Sequence, residues 1–216
     1  MSSEIVRLSE HKEKALMKRV DTLIQYGAYE TAIGCCDQFI EANPEIANAY
    51  VIKHEIHINM QKYEESLQDI NKLLHNRRYE RKGLFLKLLS LNLLLEKSRL
   101  RLVSGSSLEK ETSYAQELKK TAEKALVHYK GDTQIVYIIV EGYQLIGMKD
   151  EAVELLEEHL KIRPWDVHCL YQLGLIYQES GEYEKALECY DKSLERIEEY
   201  SPLFKKNFSK LILMHS

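Results

Sequence analysis

Apolar and polar residues recur at a fixed spacing in the last third of the chain, and this spacing predicts helical hairpins. A tyrosine, a glycine and an alanine return after 34 residues, first at Tyr143, Gly147 and Ala152 and then at Tyr177, Gly181 and Ala186. In the second block, a first helix is predicted over about Val167 to Ser180. Gly181 comes directly after it, at the position following a helix end where positive φ, and therefore glycine, is favoured. The small Ala186 then lets a second helix pack closely against the first.

The landmarks of the last block form a recognisable motif. They read Leu170-x2-Leu173-Gly174-x2-Tyr177 and then Ala186-x3-Tyr190. This resembles the tetratricopeptide repeat (TPR) pattern W-x2-L-G-x2-Y…A-x3-F…P, with Leu170 in the tryptophan slot. The resemblance implies an all-α fold, a TPR-type right-handed superhelix of stacked antiparallel helical hairpins with a C-terminal capping helix. Such folds are binding scaffolds, in which a few groove residues select the partner.

An earlier copy of the landmarks shows how the chain is divided. Gly27, Ala32 and Pro44 each lie 120 residues before a counterpart, at Gly147, Ala152 and Pro164. Three periods would be 102 residues, so a single insertion of about 18 residues lies between the copies. The frame predicts a lead-in at 1–12, five hairpins at 13–46, 47–80, 81–132 (with the insertion), 133–166 and 167–200, and a capping helix or the start of a further repeat at 201–216.

The insertion in the third hairpin is predicted to lengthen both of its helices. The leucine-rich first helix meets no breaker until Ser104-Gly105, and Ser106 and Glu109 then have the spacing of a capping box. A second helix is expected to run from there to about Tyr129. Each helix would gain about 9 residues, or roughly 13 Å. The hairpin would then protrude like a fin, while a disordered loop remains the alternative.

The last residues have the pattern of an amphipathic helix. Ser201-Pro202 suits a helix start, because proline is tolerated in the first turn. In a helix, the apolar residues would share one face, at Leu203, Phe204, Phe208, Leu211 and Ile212. The lysines would lie on the other faces, at Lys205, Lys206 and Lys210. We expect a capping helix that covers the last hairpin, as solenoid ends require. The alternative is the first helix of a sixth repeat.

Composition excludes several classes of function. The 216 residues are 44% hydrophobic and 30% charged. The formal net charge is −4, so no excess of basic residues favours binding to nucleic acid. The densest apolar run, Leu84 to Leu95, is shorter than the roughly 20 residues of a membrane helix. No membrane insertion is therefore expected.

The cysteines indicate the redox environment. None has C-x-x-C or zinc-finger spacing, and all fall within predicted helices, at Cys35, Cys36, Cys169 and Cys189. Buried reduced thiols fit this pattern and a reducing compartment. Because no apolar segment of a secretory signal follows Met1, we expect a cytoplasmic protein, with a nuclear location left open.

Candidate residues for chemistry are sparse. His54 and His57 have H-x-x-H spacing rather than the H-E-x-x-H of metalloproteases, and the repeat frame predicts that both pack against the second helix of their hairpin. His159 and His168 are interpreted as isolated, and no glycine-rich phosphate loop is present. We therefore expect no enzymatic activity, no cofactor and no metal site.

The family resemblance locates a binding groove. In TPR proteins, the first helix of each hairpin lines the concave face, and here position five is apolar or aromatic in every repeat while position nine is acidic in three. The implied partner-binding residues are Met17, Asp21, Val51, Glu55, Lys82, Phe85, Tyr137, Glu141, Tyr171 and Leu175. These residues imply that the partner is a protein and that it is bound through a peptide segment with interleaved basic and apolar residues. The alternative is that these are ordinary solvated helix positions.

One well-known TPR activity is not carried over. The carboxylate clamp for heat-shock protein tails needs lysine, asparagine and arginine at five slots, which here hold Met17, Asp21, Ile52, Lys82 and Leu86. Only Lys82 matches. The predicted function is therefore a non-enzymatic protein-protein interaction scaffold or adaptor. The alternative is a chaperone or co-chaperone that shields a helix of its partner without this clamp.

Overall fold

A computed structural model describes residues 2–43, 48–102 and 108–200 of the chain. They contain a 3-10 turn at Arg77–Tyr79 and no strand, and the predicted all-α fold is confirmed. The helices are α1 (Ser2–Gln25), α2 (Tyr29–Ala42), α3 (Asn48–Asn59), α4 (Tyr63–Leu73), α5 (Glu80–Leu102), α6 (Leu108–Tyr129), α7 (Thr133–Leu145), α8 (Lys149–Ile162), α9 (Val167–Glu179) and α10 (Tyr183–Tyr200). The predicted helix stop at Pro44, the connection 103–107 with its cap at Ser106, and the capping helix at 201–216 lie outside the described residues.

The chain divides into two compact units, 1–121 and 122–216, and the boundary falls within α6. In the first unit, α1 pairs with α2 and α3 pairs with α4, while α5 packs on α4. In the second unit, α7 pairs with α8 and α9 pairs with α10, and α7 also lies beside α9. Each pair is a helical hairpin, because the two helices are consecutive and joined by a short turn.

The turns inside the hairpins use one backbone conformation. Gly27, Gly147 and Gly181 have φ of 71°, 78° and 79°, which confirms the role predicted for Gly181. The fourth such turn places Gln61, a residue with a side chain, at φ 58°. In each turn, the next residue donates its amide to a carbonyl five residues back, as in Lys62 N to His57 O at 2.8 Å. This hydrogen bond closes the helix end.

Small residues allow the paired helices to approach. Ala32, Ala152 and Ala186 are all buried, as the repeat pattern predicts. In the first unit, Ala32 belongs to a core formed by α1, α2 and α3, which includes Val20 and Ile56. The four cysteines are free and buried, which confirms their predicted burial. Burial raises the pKa of Cys36 and of Cys169 to about 12, so both are unreactive thiols.

The two helices of the third hairpin are long, as predicted. α5 has 23 residues and α6 has 22, whereas α2 to α4 have between 11 and 14. Part of the added length packs against the preceding hairpin, since Lys97 Nζ donates to Gln61 O at 2.9 Å. Tyr114 Oη and Lys110 Nζ both donate to Glu64, at 2.6 and 2.9 Å. Part of the added length therefore lies against the preceding hairpin, while protrusion of the tip, which includes the undescribed residues 103–107, stays a prediction.

No helix within the described ranges is both long enough and apolar enough to cross a membrane.

Candidate functional site

The predicted binding residues are divided between the two units. The first unit holds the residues of α1, α3 and α5, and the second holds those of α7 and α9. Among the former, Asp21, Glu55 and Lys82 are exposed, Phe85 is half-buried, and Met17 is 44% exposed although it is apolar. All four residues of the second unit, Tyr137, Glu141, Tyr171 and Leu175, are half-buried.

The structure contradicts one of these predictions, at Val51. This side chain is only 2% exposed and belongs to a core cluster with Ile70, Leu73 and Leu86. Phe85 packs against the same cluster. Position five of the second hairpin is therefore turned into the junction of α3, α4 and α5, and Val51 is not a surface contact.

In the second unit, the predicted residues form a connected surface, which we call the α7–α9 surface. It consists of Tyr137 and Glu141 on α7 and of Tyr171, Gln172 and Leu175 on α9. Gln172 Nε2 donates to Tyr137 Oη at 3.2 Å and so joins the two helices. Tyr137 in turn hydrogen-bonds to Glu141. Gln172 was not among the predicted residues, although its place beside Tyr171 on a first helix was a signal for it.

The tyrosines of this surface are neutral hydrogen-bonding groups. Burial, reinforced by the nearby Glu141 carboxylate, raises the pKa of Tyr137, and burial raises that of Tyr171. The α7–α9 surface thus offers two half-buried tyrosine rings, the Glu141 carboxylate and the Gln172 side-chain amide. A cation beside Glu141 would gain an ion pair and contact with a ring face, and apolar groups would cover the rings.

A second layer of tyrosines fixes the position of α9. The Tyr171 ring lies 5.8 Å from the ring of Tyr190 on α10, at an angle of 42°. Tyr190 Oη donates to Gln178 at 2.8 Å, and Tyr177 Oη donates to Glu157 on α8 at 2.8 Å. The surface residues of α9 thus stand on a helix that is bonded to both of its neighbours.

The histidines of α3 have structural roles, as predicted. His54 Nδ1 lies 2.7 Å from Ser66 Oγ, which is itself 3.0 Å from Ser90 Oγ on α5. His57 Nδ1 lies 2.7 Å from a carboxylate oxygen of Asp69 on α4. All of these side chains are buried. Burial lowers the pKa of His54 to about 4, so it is neutral near pH 7.

The interpretation of His159 as isolated is wrong. Its Nε2 lies 3.0 Å from Asp166 Oδ2, and its Nδ1 lies 3.3 Å from Lys130 O. Asp166 also caps α9 by accepting the Cys169 amide at 3.2 Å, and it accepts the Thr133 hydroxyl at the start of α7. The sequence signal was the cap position of Asp166 just beyond the helix that carries His159.

His159, Asp166 and Cys169 also bring together three types of metal donor. Their donor atoms lie within 4.8 Å of one another. However, both imidazole nitrogens and both carboxylate oxygens already have hydrogen-bonding partners within the chain. The arrangement is therefore complete as a polar junction between α7, α8 and α9.

Comparisons with known proteins agree with this architecture. A family model described as a tetratricopeptide repeat matches residues 168–200. The crystal structure of TTC0263, a thermophilic TPR protein of Thermus thermophilus, is 16% identical and covers 93% of this chain and 99% of that one, with a TM-score of 0.64. MamA from residue 41 to its end, of Desulfovibrio magneticus RS-1, is 13% identical over 88% of this chain and 97% of that one, with a TM-score of 0.63.

A further similar structure is that of YrrB, described as a TPR protein with an unusual peptide-binding site. It is 20% identical and covers 86% of each chain, with a TM-score of 0.54. Among curated protein sequences, none matches this chain. At these identities the structural likeness shows the fold, which is an all-α TPR solenoid.

Proposed function

Because this chain is a tetratricopeptide repeat protein, we propose that it is a protein-interaction module that binds an extended segment of a partner on its α7–α9 surface. In this proposal the protein acts as a scaffold or adaptor by binding rather than by catalysis. The observation that carries it is the hydrogen bond from Gln172 to the hydroxyl of Tyr137, which joins α7 and α9 at two half-buried tyrosines, Tyr137 and Tyr171. The peptide-binding site named for YrrB, a protein of the same fold, adds support.

The chemistry of the surface specifies the segment. Glu141 would pair with a lysine or arginine of the partner, while apolar residues would lie against Tyr171 and Leu175. Exposed ion pairs contribute only about 0 to 1 kcal/mol each, so the rings would supply most of the affinity and Glu141 mainly the selectivity. In the first unit, we propose that Asp21 and Glu55 make further contacts with cations of the partner. Met17, Lys82 and Phe85 are proposed as additional partner-binding residues of this unit.

An extended peptide fits this surface better than a helix does. A bound helix needs a broad apolar wall for residues at i, i+3, i+4 and i+7. The α7–α9 surface instead alternates rings with a carboxylate and an amide, and its polar groups suit a chain whose backbone is still exposed. This chemistry supports the adaptor function over the alternative of a co-chaperone that shields a helix.

The test uses synthetic peptides and the full chain. Fluorescein-labelled 12-residue peptides with alternating lysine and leucine, or alternating glutamate and leucine, are titrated by anisotropy. We expect the lysine series to bind more tightly, and the combined variant Tyr137→Ala, Tyr171→Ala to weaken it by about tenfold or more. Glu141→Gln should mainly reduce the preference for lysine and the dependence on salt.

The matched control is Tyr26→Ala, because Tyr26 is a tyrosine in the other unit and is highly exposed. It should leave the affinity unchanged, and circular dichroism should show that every variant remains helical. If the double tyrosine variant binds the lysine peptides as well as the wild type does, the α7–α9 surface is not the site. If only peptides with stabilised helices bind, the co-chaperone alternative is favoured.

A further inference from the structure

The added length of α5 and α6 forms one side of a cleft in the first unit. α5 and α6 have 23 and 22 residues, whereas α7 and α8 have 13 and 14, so the end of α5 and the start of α6 are additional. Lys97, Ser98, Lys110 and Tyr114 lie in this additional length and line a cleft of about 420 Å3. The start of α4, at residues 61–65, lines it from the other side. We call it the α4–α6 cleft.

Three hydrogen bonds hold the two sides of the α4–α6 cleft together. Lys97 Nζ donates to Gln61 O at 2.9 Å. Tyr114 Oη and Lys110 Nζ both donate to Glu64 Oε1, at 2.6 and 2.9 Å. The cleft is therefore preformed, and a ligand would bind without first having to order its walls.

Two of the three lysines that line the cleft are paired with carboxylates. Lys110 forms an ion pair with Glu64, and Lys62 forms one with Glu30 at 2.6 Å. Their charges are thus largely neutralised within the chain. Lys97 is the third lysine of the lining.

Lys97 has a different environment. Its side chain is half-buried, and its ammonium group donates to a backbone carbonyl and lies 5.0 Å from the centre of the Tyr63 ring. Within the described part of the chain, no carboxylate forms an ion pair with it. An ammonium group has three N–H donors, so further donors remain for a ligand. A carboxylate suits this position best, because charge-assisted hydrogen bonds are stronger than neutral ones.

The neighbouring part of the cleft is aromatic and apolar. The side chains of Tyr63 and Tyr114 are half-buried, and Leu94 is only 5% exposed. All three line the cleft together with Lys97. An aromatic group attached close to the carboxylate of a ligand would cover these side chains.

The open side of the cleft favours a segment of a protein over a free small molecule. Pockets for small molecules bury most of the ligand surface. Here four of the lining residues are exposed, at Gln61, Glu64, Glu65 and Lys110. A longer segment can place one or two side chains in such a cleft, because the rest of the segment lies outside it.

We propose that the α4–α6 cleft binds an acidic segment of a partner protein. A glutamate or aspartate of the segment pairs with Lys97, and an adjacent aromatic residue lies against Tyr63 and Tyr114. None of these three residues belongs to the predicted groove. The inference is independent of the function proposed above, because the two surfaces lie in different units and prefer opposite charges.

Fluorescence anisotropy with the full chain and rhodamine-labelled heptapeptides tests the proposal. The probe has one glutamate between two phenylalanines and is capped at both ends. Its matched versions have glutamine or lysine in place of the glutamate. We expect the glutamate peptide to bind about fivefold or more tightly than either version, because only its carboxylate can pair with Lys97.

Variants of the cleft separate the ion pair from the aromatic contact. Lys97→Gln should abolish the preference for glutamate, and Lys97→Arg should retain it because the charge remains. Ser98→Trp should fill the cleft and weaken binding of the glutamate peptide by about tenfold or more. The control Lys72→Gln removes an exposed lysine of α4 outside the cleft and should leave the affinity unchanged. Circular dichroism should show that each variant remains helical.

Photocrosslinking locates the bound peptide. A benzophenone in place of one phenylalanine ring should crosslink to residues 61–65, 94–98 or 110–114. Crosslinks confined to α7 and α9 would overturn the proposal and assign the acidic peptide to the α7–α9 surface. Equal affinity for the glutamate and glutamine peptides would also overturn it. So would unchanged binding to Lys97→Gln, or no binding of the glutamate peptide at about 1 mM.

Discussion

The ring of Tyr190 on α10 lies directly against Gly174 on α9. A Cβ on this glycine would be 2.5 Å from Cε1 and 2.8 Å from Cδ1 of the ring. Tyr190 is buried and also contacts Tyr171, so its ring has little space to move. The glycine at this position of the TPR pattern therefore allows the two helices of the last hairpin to interlock.

Replacing this glycine is expected to destabilise the second unit. Gly174→Ala should lower the free energy of unfolding by about 1 to 3 kcal/mol, because the extra methyl group overpacks a filled site. The matched control is Gly34→Ala in α2, where a Cβ would meet nothing within 4 Å. It should raise stability by about 0.5 to 1 kcal/mol through helix propensity. Urea denaturation measures both, and equal effects of the two substitutions would contradict the packing explanation.

The turn between α3 and α4 offers a stabilising substitution. Gln61 has φ 58°, in the place where three other hairpins have glycine. Gln61→Gly should raise the free energy of unfolding by about 0.5 to 1 kcal/mol, because relief of the left-handed conformation exceeds the entropy that glycine loses on folding.

Gln61→Ala is the control for this turn, since it removes the same side chain but keeps the backbone strain. Lys97 contacts the Gln61 carbonyl, which both variants retain. Thermal denaturation should therefore separate the two variants. A glycine variant no more stable than the alanine variant would show that the turn is unstrained.

The residues that were predictable from the sequence act through local chemistry. Gly27, Gly147 and Gly181 end helices, and Ala186 sits at a close helix contact, so the repeat pattern alone indicates their roles. Gln61 was missed because its backbone conformation is imposed by the hairpin and not by its own side chain. Val51 was misplaced because the junction of α3, α4 and α5, which buries it, depends on residues far along the chain.

Buried His54 should make the first unit sensitive to acid. Burial lowers its pKa in the folded state to about 4, below the ordinary 6.5 that applies after unfolding. The unfolded state therefore binds more protons, and the contribution of His54 to stability is full above about pH 6.5 and is lost as the pH falls towards 4. The loss is on the order of 3 kcal/mol.

The substitution His54→Asn tests this effect while keeping a polar group near Ser66. Urea denaturation at several pH values between 7 and 4 should show a shallower fall in stability for this variant than for the wild type. The control is His75→Asn, because His75 is exposed in the same unit. Superimposable pH profiles of the wild type and His54→Asn would contradict the buried neutral state.

The last prediction concerns Asp166, which joins three helices. It caps α9, pairs with the buried His159 and accepts the Thr133 hydroxyl. Asp166→Ala should lower the free energy of unfolding by about 2 to 4 kcal/mol, from a lost cap of about 1 kcal/mol and an unsatisfied buried imidazole of about 1 to 3 kcal/mol. Burial opposes ionisation of Asp166, but the hydrogen bonds from Thr133, His159 and the Cys169 amide outweigh it and hold its pKa below the usual value.

The pKa of Asp166 is lower in the folded state than in the unfolded state. Its carboxylate therefore contributes fully to the free energy of unfolding at pH values above the unfolded-state pKa, and this contribution is lost as the pH falls through the folded-state pKa. The matched control is Asp132→Ala, since Asp132 caps α7 by accepting the amides of Gln134 and Ile135. This substitution should cost only about 1 kcal/mol. Urea denaturation near pH 7 compares the two variants directly. Equal losses would mean that Asp166 acts as a helix cap alone and that its contact with His159 adds no stability to the junction.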